Sequence, residues 1–154
     1  MGEWLVIPCN GIGNPLSTVS RYAGLQATKL LQERGVNVDL LAIGQLLARL
    51  PDALERLANR PAAVIDGCSY KCATKLLENL SAKPAVHIYI PDVMRSLGLG
   101  KRGLDRKYLG PKGRAIGEAV AKALADAVTP MIDCREPTEA LETNACCGKK
   151  EGAK

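Results

Sequence analysis

At 154 residues the chain is the size of one ordinary domain, large enough to bury about two-thirds of its unfolded surface without help from disulfides or a metal. With 47% hydrophobic residues, no Phe and one Trp, the core has to be aliphatic; an aromatic platform for nucleic acid is disfavoured, and no apolar run approaches the roughly 20 residues of a membrane-spanning helix. The formal charge of +5 is concentrated between Gly98 and Arg114, where Lys101, Arg102, Arg106, Lys107, Lys112 and Arg114 face Asp105 alone, a stretch that reads either as a solvated loop or as a docking site for an acidic protein partner, with nucleic acid the less favoured alternative.

Leu5-Val6-Ile7 reads as a buried first strand that stops at Pro8 and the glycine-bearing Gly11-Ile12-Gly13. A helix follows, capped at Ser17 or Thr18, with Val19, Tyr22, Ala23, Ala27, Leu30 and Leu31 at helical spacing until Gly35 ends it. Val38 to Ile43 repeats the strand signal. The Leu46 to Leu57 region is helical in its leucine spacing and is split by Pro51, with Asp52 as the expected cap of the second piece. Ala62 to Ile65 is the third strand; the helix after it carries Cys72, Ala73, Leu76, Leu77 and Leu80 on one face.

Ala85 to Ile90 is the fourth strand, with His87, the only histidine, expected to pack in the core. The basic loop leads into a long helix whose buried stripe is Ile116, Ala119, Val120, Ala123, Leu124 and Ala127, with Pro130 as its stop and Met131 to Asp133 as a short fifth strand. From about Glu136 the chain turns polar. The expected organisation is therefore a single α/β domain over residues 1–135 and a flexible tail over 136–154 that carries Cys146-Cys147.

Strands apolar throughout and alternating with helices specify a parallel sheet covered on both faces. The expected architecture is a three-layer, doubly wound, flavodoxin-like fold with four or five mainly parallel strands in the order 2-1-3-4(-5). Ligands of such sheets bind at the carboxyl edge where strand order reverses, here between the first and third strands.

Cys9 and Cys68 follow those two strand ends, and a helix starting near Ser69 would bring Cys72, four residues on, to the same face as Cys68. With no signal peptide evident, the chain reads as cytoplasmic, and cysteines there point to metal or redox chemistry more than to a disulfide framework. Zinc takes thiolates in tetrahedral geometry, an iron–sulfur cluster is the alternative cofactor, and a helix N-terminus favours thiolate. Inert buried cysteines are the plain alternative.

Three fragments, Pro-Cys-Asn-Gly-Ile-Gly at 8–13, Val-Ser-Arg at 19–21 and Ile-Asp-Gly-Cys-x3-Cys-Ala-x-Lys-Leu-Leu-Glu at 65–78, resemble the DGC-domain family over roughly residues 4 to 128. The resemblance implies a zinc-binding protein with four chelating cysteines and no established reaction. Family members carry one of those cysteines at the end of the second strand, where this chain reads Leu40-Leu41-Ala42-Ile43. The expected ligands are accordingly Cys9, Cys68 and Cys72, with the fourth place open to Cys134, to Cys146 or Cys147, to an Asp66 oxygen, or to water or substrate.

Asn10, Asp66 and Gly67 read as turn formers that would also tune thiolate charge. A second functional reading is a thiol redox or sulfur- or metal-transfer protein, with Cys9 as nucleophile, Cys68 or Cys72 resolving and the Cys146-Cys147 tail delivering. A third places an anion over Gly11, Gly13, Ser17 and Thr18 at the helix start. The loop has neither a P-loop pattern nor the arginine six residues after the cysteine that a tyrosine phosphatase loop of this shape requires; that position is Pro15.

Overall fold

A computed structural model of the chain describes residues 4–133. Four strands, β1 (Trp4–Pro8), β2 (Val38–Leu40), β3 (Ala62–Asp66) and β4 (Val86–Tyr89), form one sheet in the order β2-β1-β3-β4, and every neighbouring pair is parallel. The doubly wound α/β fold is as the strand and helix pattern requires. The order reverses between β1 and β3, so a crevice opens above their carboxyl ends.

The central strands β1 and β3 are buried on both faces, which is why they read as continuous apolar runs. On one face Trp4, Val6, Ala63, Ile65 and Val86 pack against α1 (Pro15–Glu33), α5 (Ile90–Ser96) and α6 (Pro111–Asp133). On the other, Leu5, Ile7, Ala62 and Val64 pack against α2 (Ile43–Leu47), α3 (Pro51–Asn59) and α4 (Cys72–Asn79). Side chains that alternate along a strand thus serve two separate cores.

The long helices α1 and α6 lie side by side and run in the same direction. Thr18 donates to the Arg106 carbonyl just before α6, at 2.7 Å, and Tyr22 to Glu118 at 3.2 Å; at the far ends Arg34 meets Asp126 at 2.8 Å and Thr129 at 3.1 Å. The start of α6 therefore stands at the carboxyl edge of the sheet, and its end at the opposite edge. Gly35 closes α1 with φ +78, the Val36 N–H returning to the Leu31 carbonyl as in a Schellman turn.

Several local expectations are corrected. Asn14, not Ser17 or Thr18, caps α1: its side chain accepts from the Leu16 N–H, with Pro15 at the first helical position. The split at Pro51 is present, but Leu50 occupies the cap position and Asp52 sits in the first turn. Residues 131–133 are helical, so the sheet has no fifth strand among the described residues. Pro130 lies inside α6; so close to the end it costs one exposed backbone hydrogen bond, which the helix tolerates. The buried stripe of α6 is rotated, with Ala121, Ala125 and Val128 fully buried beside Ile116, Val120 and Leu124. Helix α5, begun by Pro91 in its first turn, has no counterpart in the sequence reading.

Candidate thiol site at the carboxyl edge of the sheet

Cys9 directly follows β1, is buried, and its N–H bonds to the Ile65 carbonyl at 2.8 Å, which continues the β1–β3 ladder one residue beyond the strands. Cys68 stands two residues beyond β3 and is half-buried; Cys72, exposed, is the first residue of α4. Between them the chain makes a turn, closed by the Lys71 N–H to the Cys68 carbonyl at 3.0 Å, with Lys71 held left-handed at φ 48. Cys68 is thus off the helix, contrary to the expected helical i, i+4 pair. The two thiols are related by a turn and not by a helix face.

Gly67 allows the loop to reach this position. A Cβ there would lie 3.0 Å from the Leu16 carbonyl oxygen and 3.1 Å from its carbon, both backbone atoms that cannot swing away. A glycine lets the β3–α4 loop lie directly against the first turn of α1, and so brings Cys68 towards the Cys9 loop. Lys71 places its ammonium 5.5 Å from the centre of the Tyr89 ring, a cation–π contact that braces the turn.

Asp66 is fully buried and has four partners. Its carboxylate accepts from the N–H groups of Ala73 and Thr74, at 3.1 and 3.3 Å, and from the Thr74 hydroxyl at 2.6 Å. The fourth is His87 Nε2 at 3.0 Å. A helix begins with N–H groups that lack intrahelical partners, and here a carboxylate from the preceding strand supplies them, with its charge at the positive end of the helix dipole. His87 is partly exposed and serves as a partner of Asp66; it is not the packed core residue that its mid-strand position suggested. Asp66 is committed to fixing α4, and with it Cys72, which leaves its oxygens poorly placed to serve as metal ligands.

The Cys72 thiol is pushed above its ordinary value, first by the packing around its sulfur, then by Cys9, Cys68 and Asp66, with Lys75 pulling the other way. Cys9 and Cys68 are therefore close enough to bear electrostatically on Cys72, and a cation would relieve the mutual repulsion of the ionised forms. The donor chemistry suits a soft cation. As drawn the site is open: among the described residues no three His, Cys, Asp or Glu side chains stand close enough together to hold a metal ion.

The remaining site residues fall as follows. Asn10, exposed beside Cys9, accepts from Arg21 at 3.3 Å. Ser17 is buried, about 3.4 Å from where a Gly11 Cβ would lie, and the surroundings of Gly13 are open. The N–H groups of Leu16 and Ser17 are both taken by Asn14, and the Thr18 hydroxyl by the Arg106 carbonyl, so the start of α1 offers an anion fewer donors than its sequence suggests. Cys134, Cys146 and Cys147 lie outside the described residues. The role of Asp66 was signalled only weakly, by an acid seven and eight residues ahead of its N–H partners.

No curated protein and no solved structure matches the chain. The family model described as the DGC domain matches residues 5–103, a span that holds the sheet from Leu5 onward together with Cys9, Cys68 and Cys72. The match covers more than half of the sequence, and the chain belongs to the DGC domain family.

Proposed function

We propose that the chain binds a soft cation, zinc in the first instance, through the thiolates of Cys9, Cys68 and Cys72. What supports the reading is that Cys9, Cys68 and Cys72, from two separate strand ends and one helix start, stand at one edge of the sheet, and that Cys9 and Cys68 both raise the Cys72 thiol. Zinc would act there as a structural or carried ion held by sulfur.

A redox or sulfur-transfer role with Cys9 as nucleophile is the weaker reading, because Cys72, one of its two resolving thiols, is pushed away from the thiolate. Metal analysis of anaerobically purified protein, followed by Co2+ titration of the metal-free form, tests the proposal. We expect one ion per chain, thiolate-to-metal absorption, proton release on binding, and a loss of at least tenfold in affinity for Cys9→Ser and Cys68→Ser. Binding that ignores both substitutions refutes it, and acid-labile sulfide would replace zinc by an iron–sulfur cluster.

A further inference from the structure

The loop from Leu97 to Gly110 is long yet built. Leu99, Leu104 and Leu109 turn inward against the core under α1 and α6. Asp105 turns its carboxylate to the N–H groups of Lys107 and Tyr108, Lys112 donates to the Arg102 carbonyl at 2.9 Å, and Thr18 fastens the Arg106 carbonyl to α1. Lys101, Arg102, Arg106, Lys107 and Arg114 are exposed, and among the described residues neither they nor Lys112 form an ion pair. Elsewhere acids do meet bases: Asp39 alone takes both Arg56 and Arg60. Asp105, the one acid in the stretch, is used up within the loop.

The apolar surface is distributed in the same way. The three most exposed large apolar side chains among the described residues are Ile12 at 85%, Tyr108 at 74% and Tyr70 at 73%. They come from three separate loops, after β1, before α6 and after β3, and all three loops open at the carboxyl edge, around the thiols. Arg and Tyr with an apolar neighbour are the residue types that carry protein–protein interfaces, whereas unneutralised cations without acids select an acidic counterpart and steer its approach.

We propose that the carboxyl edge is a docking face for a protein with an acidic, partly apolar surface, which Lys101, Arg102, Arg106 and Lys107 attract and Tyr108, Tyr70 and Ile12 seat. The face rests on the proposed function only for what docking accomplishes: it sets the partner over Cys68 and Cys72, where a bound ion could be exchanged or shielded. The test uses fluorescence anisotropy with three labelled probes, an all-Glu peptide, an alternating Glu-Leu peptide and a single-stranded RNA of equal length, at about 0.15 M salt, where charges beyond about 8 Å are screened.

We expect the Glu-Leu peptide to bind tightest, with at least a tenfold loss for Lys101→Glu/Arg106→Glu/Lys107→Glu. Tyr108→Ala is expected to cost the Glu-Leu peptide at least threefold and the all-Glu peptide little, a split that charge attraction alone cannot produce. Tighter binding of RNA than of either peptide, an affinity untouched by the reversed charges, or no binding of any probe overturns the proposal. The measurements are repeated on the full chain with Cys9, Cys68 and Cys72 all changed to Ser: docking that survives there stands even if the thiols bind no ion, and docking that fails while Co2+ binding persists leaves the metal reading intact.

Discussion

Replacing Asp66 by Ala tests whether its carboxylate is a structural clamp. The substitution removes the acceptor of two backbone N–H groups, the Thr74 hydroxyl and His87. His87, with 28% of its side chain exposed, can turn to water, and the Thr74 hydroxyl can rotate to a carbonyl of its own helix. The N–H of Ala73, a fully buried residue, has no such recourse. Losing a helix cap costs about 0.5–2 kcal/mol and stranding a buried donor about 1–3 kcal/mol, so we expect a destabilisation of about 3 kcal/mol, or roughly 6–12 °C in Tm for a chain of this size. Urea unfolding of the metal-free protein measures it, with an unchanged m-value as the sign that stability alone has moved. Asp66→Asn, which keeps one acceptor oxygen, should lose about half as much, and His87→Ala under about 1 kcal/mol, as expected for one partly exposed hydrogen bond. Alkylation of Cys72 should accelerate in Asp66→Ala as the first turn of α4 frays. A metal-free Asp66→Ala protein within about 1 kcal/mol of the parent would refute the clamp and return Asp66 to the list of ligands.

Gly67→Ala should destabilise by about 1–3 kcal/mol in thermal melts, because the new methyl meets the Leu16 backbone at 3.0 Å; Gly13→Ala, with nothing within 4 Å, serves as the neutral comparison. Cys72 should alkylate along a pH profile displaced above that of a free thiol, and Cys9→Ser/Cys68→Ser should move the profile back down; an unshifted parent profile contradicts the clustering. Because the folded thiol holds its proton more tightly than the unfolded one, this group leaves stability untouched at neutral pH and lowers it as pH rises past the ordinary thiol range. Asp105, held below the ordinary carboxylate range by the N–H groups of Lys107 and Tyr108, should keep its loop ordered down to acidic pH and release it only as pH falls through the lowered value. Hydrogen exchange at those two amides checks this.

The two central strands were legible because both are buried on both sides, so that Leu5-Val6-Ile7 and Ala62 to Ile65 stand out as unbroken apolar runs. The ends of elements were less so. Pro91 opens α5 and Pro130 is carried inside α6, and a proline read in isolation cannot say which side of a helix end it occupies. That Cys9, Cys68 and Cys72 lie at one edge of the sheet followed from topology. How the chain runs between the last two did not: the C-x3-C spacing suits a helix and a turn equally, and the left-handed Lys71 that chooses the turn has no mark in the sequence. The partners of Asp66 come from two other elements, so no local pattern reports them, and His87 looks like core until Asp66 is seen beside it.

The family match stops at residue 103, eight residues before α6 begins. Yet Ile116, Val120, Ala121, Leu124, Ala125 and Val128 of that helix fill the core over Trp4, Val6 and the inner face of α1. The inherited signature is therefore shorter than the unit that folds. A fragment cut at the signature's boundary would keep every cysteine of the cluster and lose the wall behind it, so any attempt to isolate the thiol chemistry in a minimal peptide has to carry the chain through to Val128.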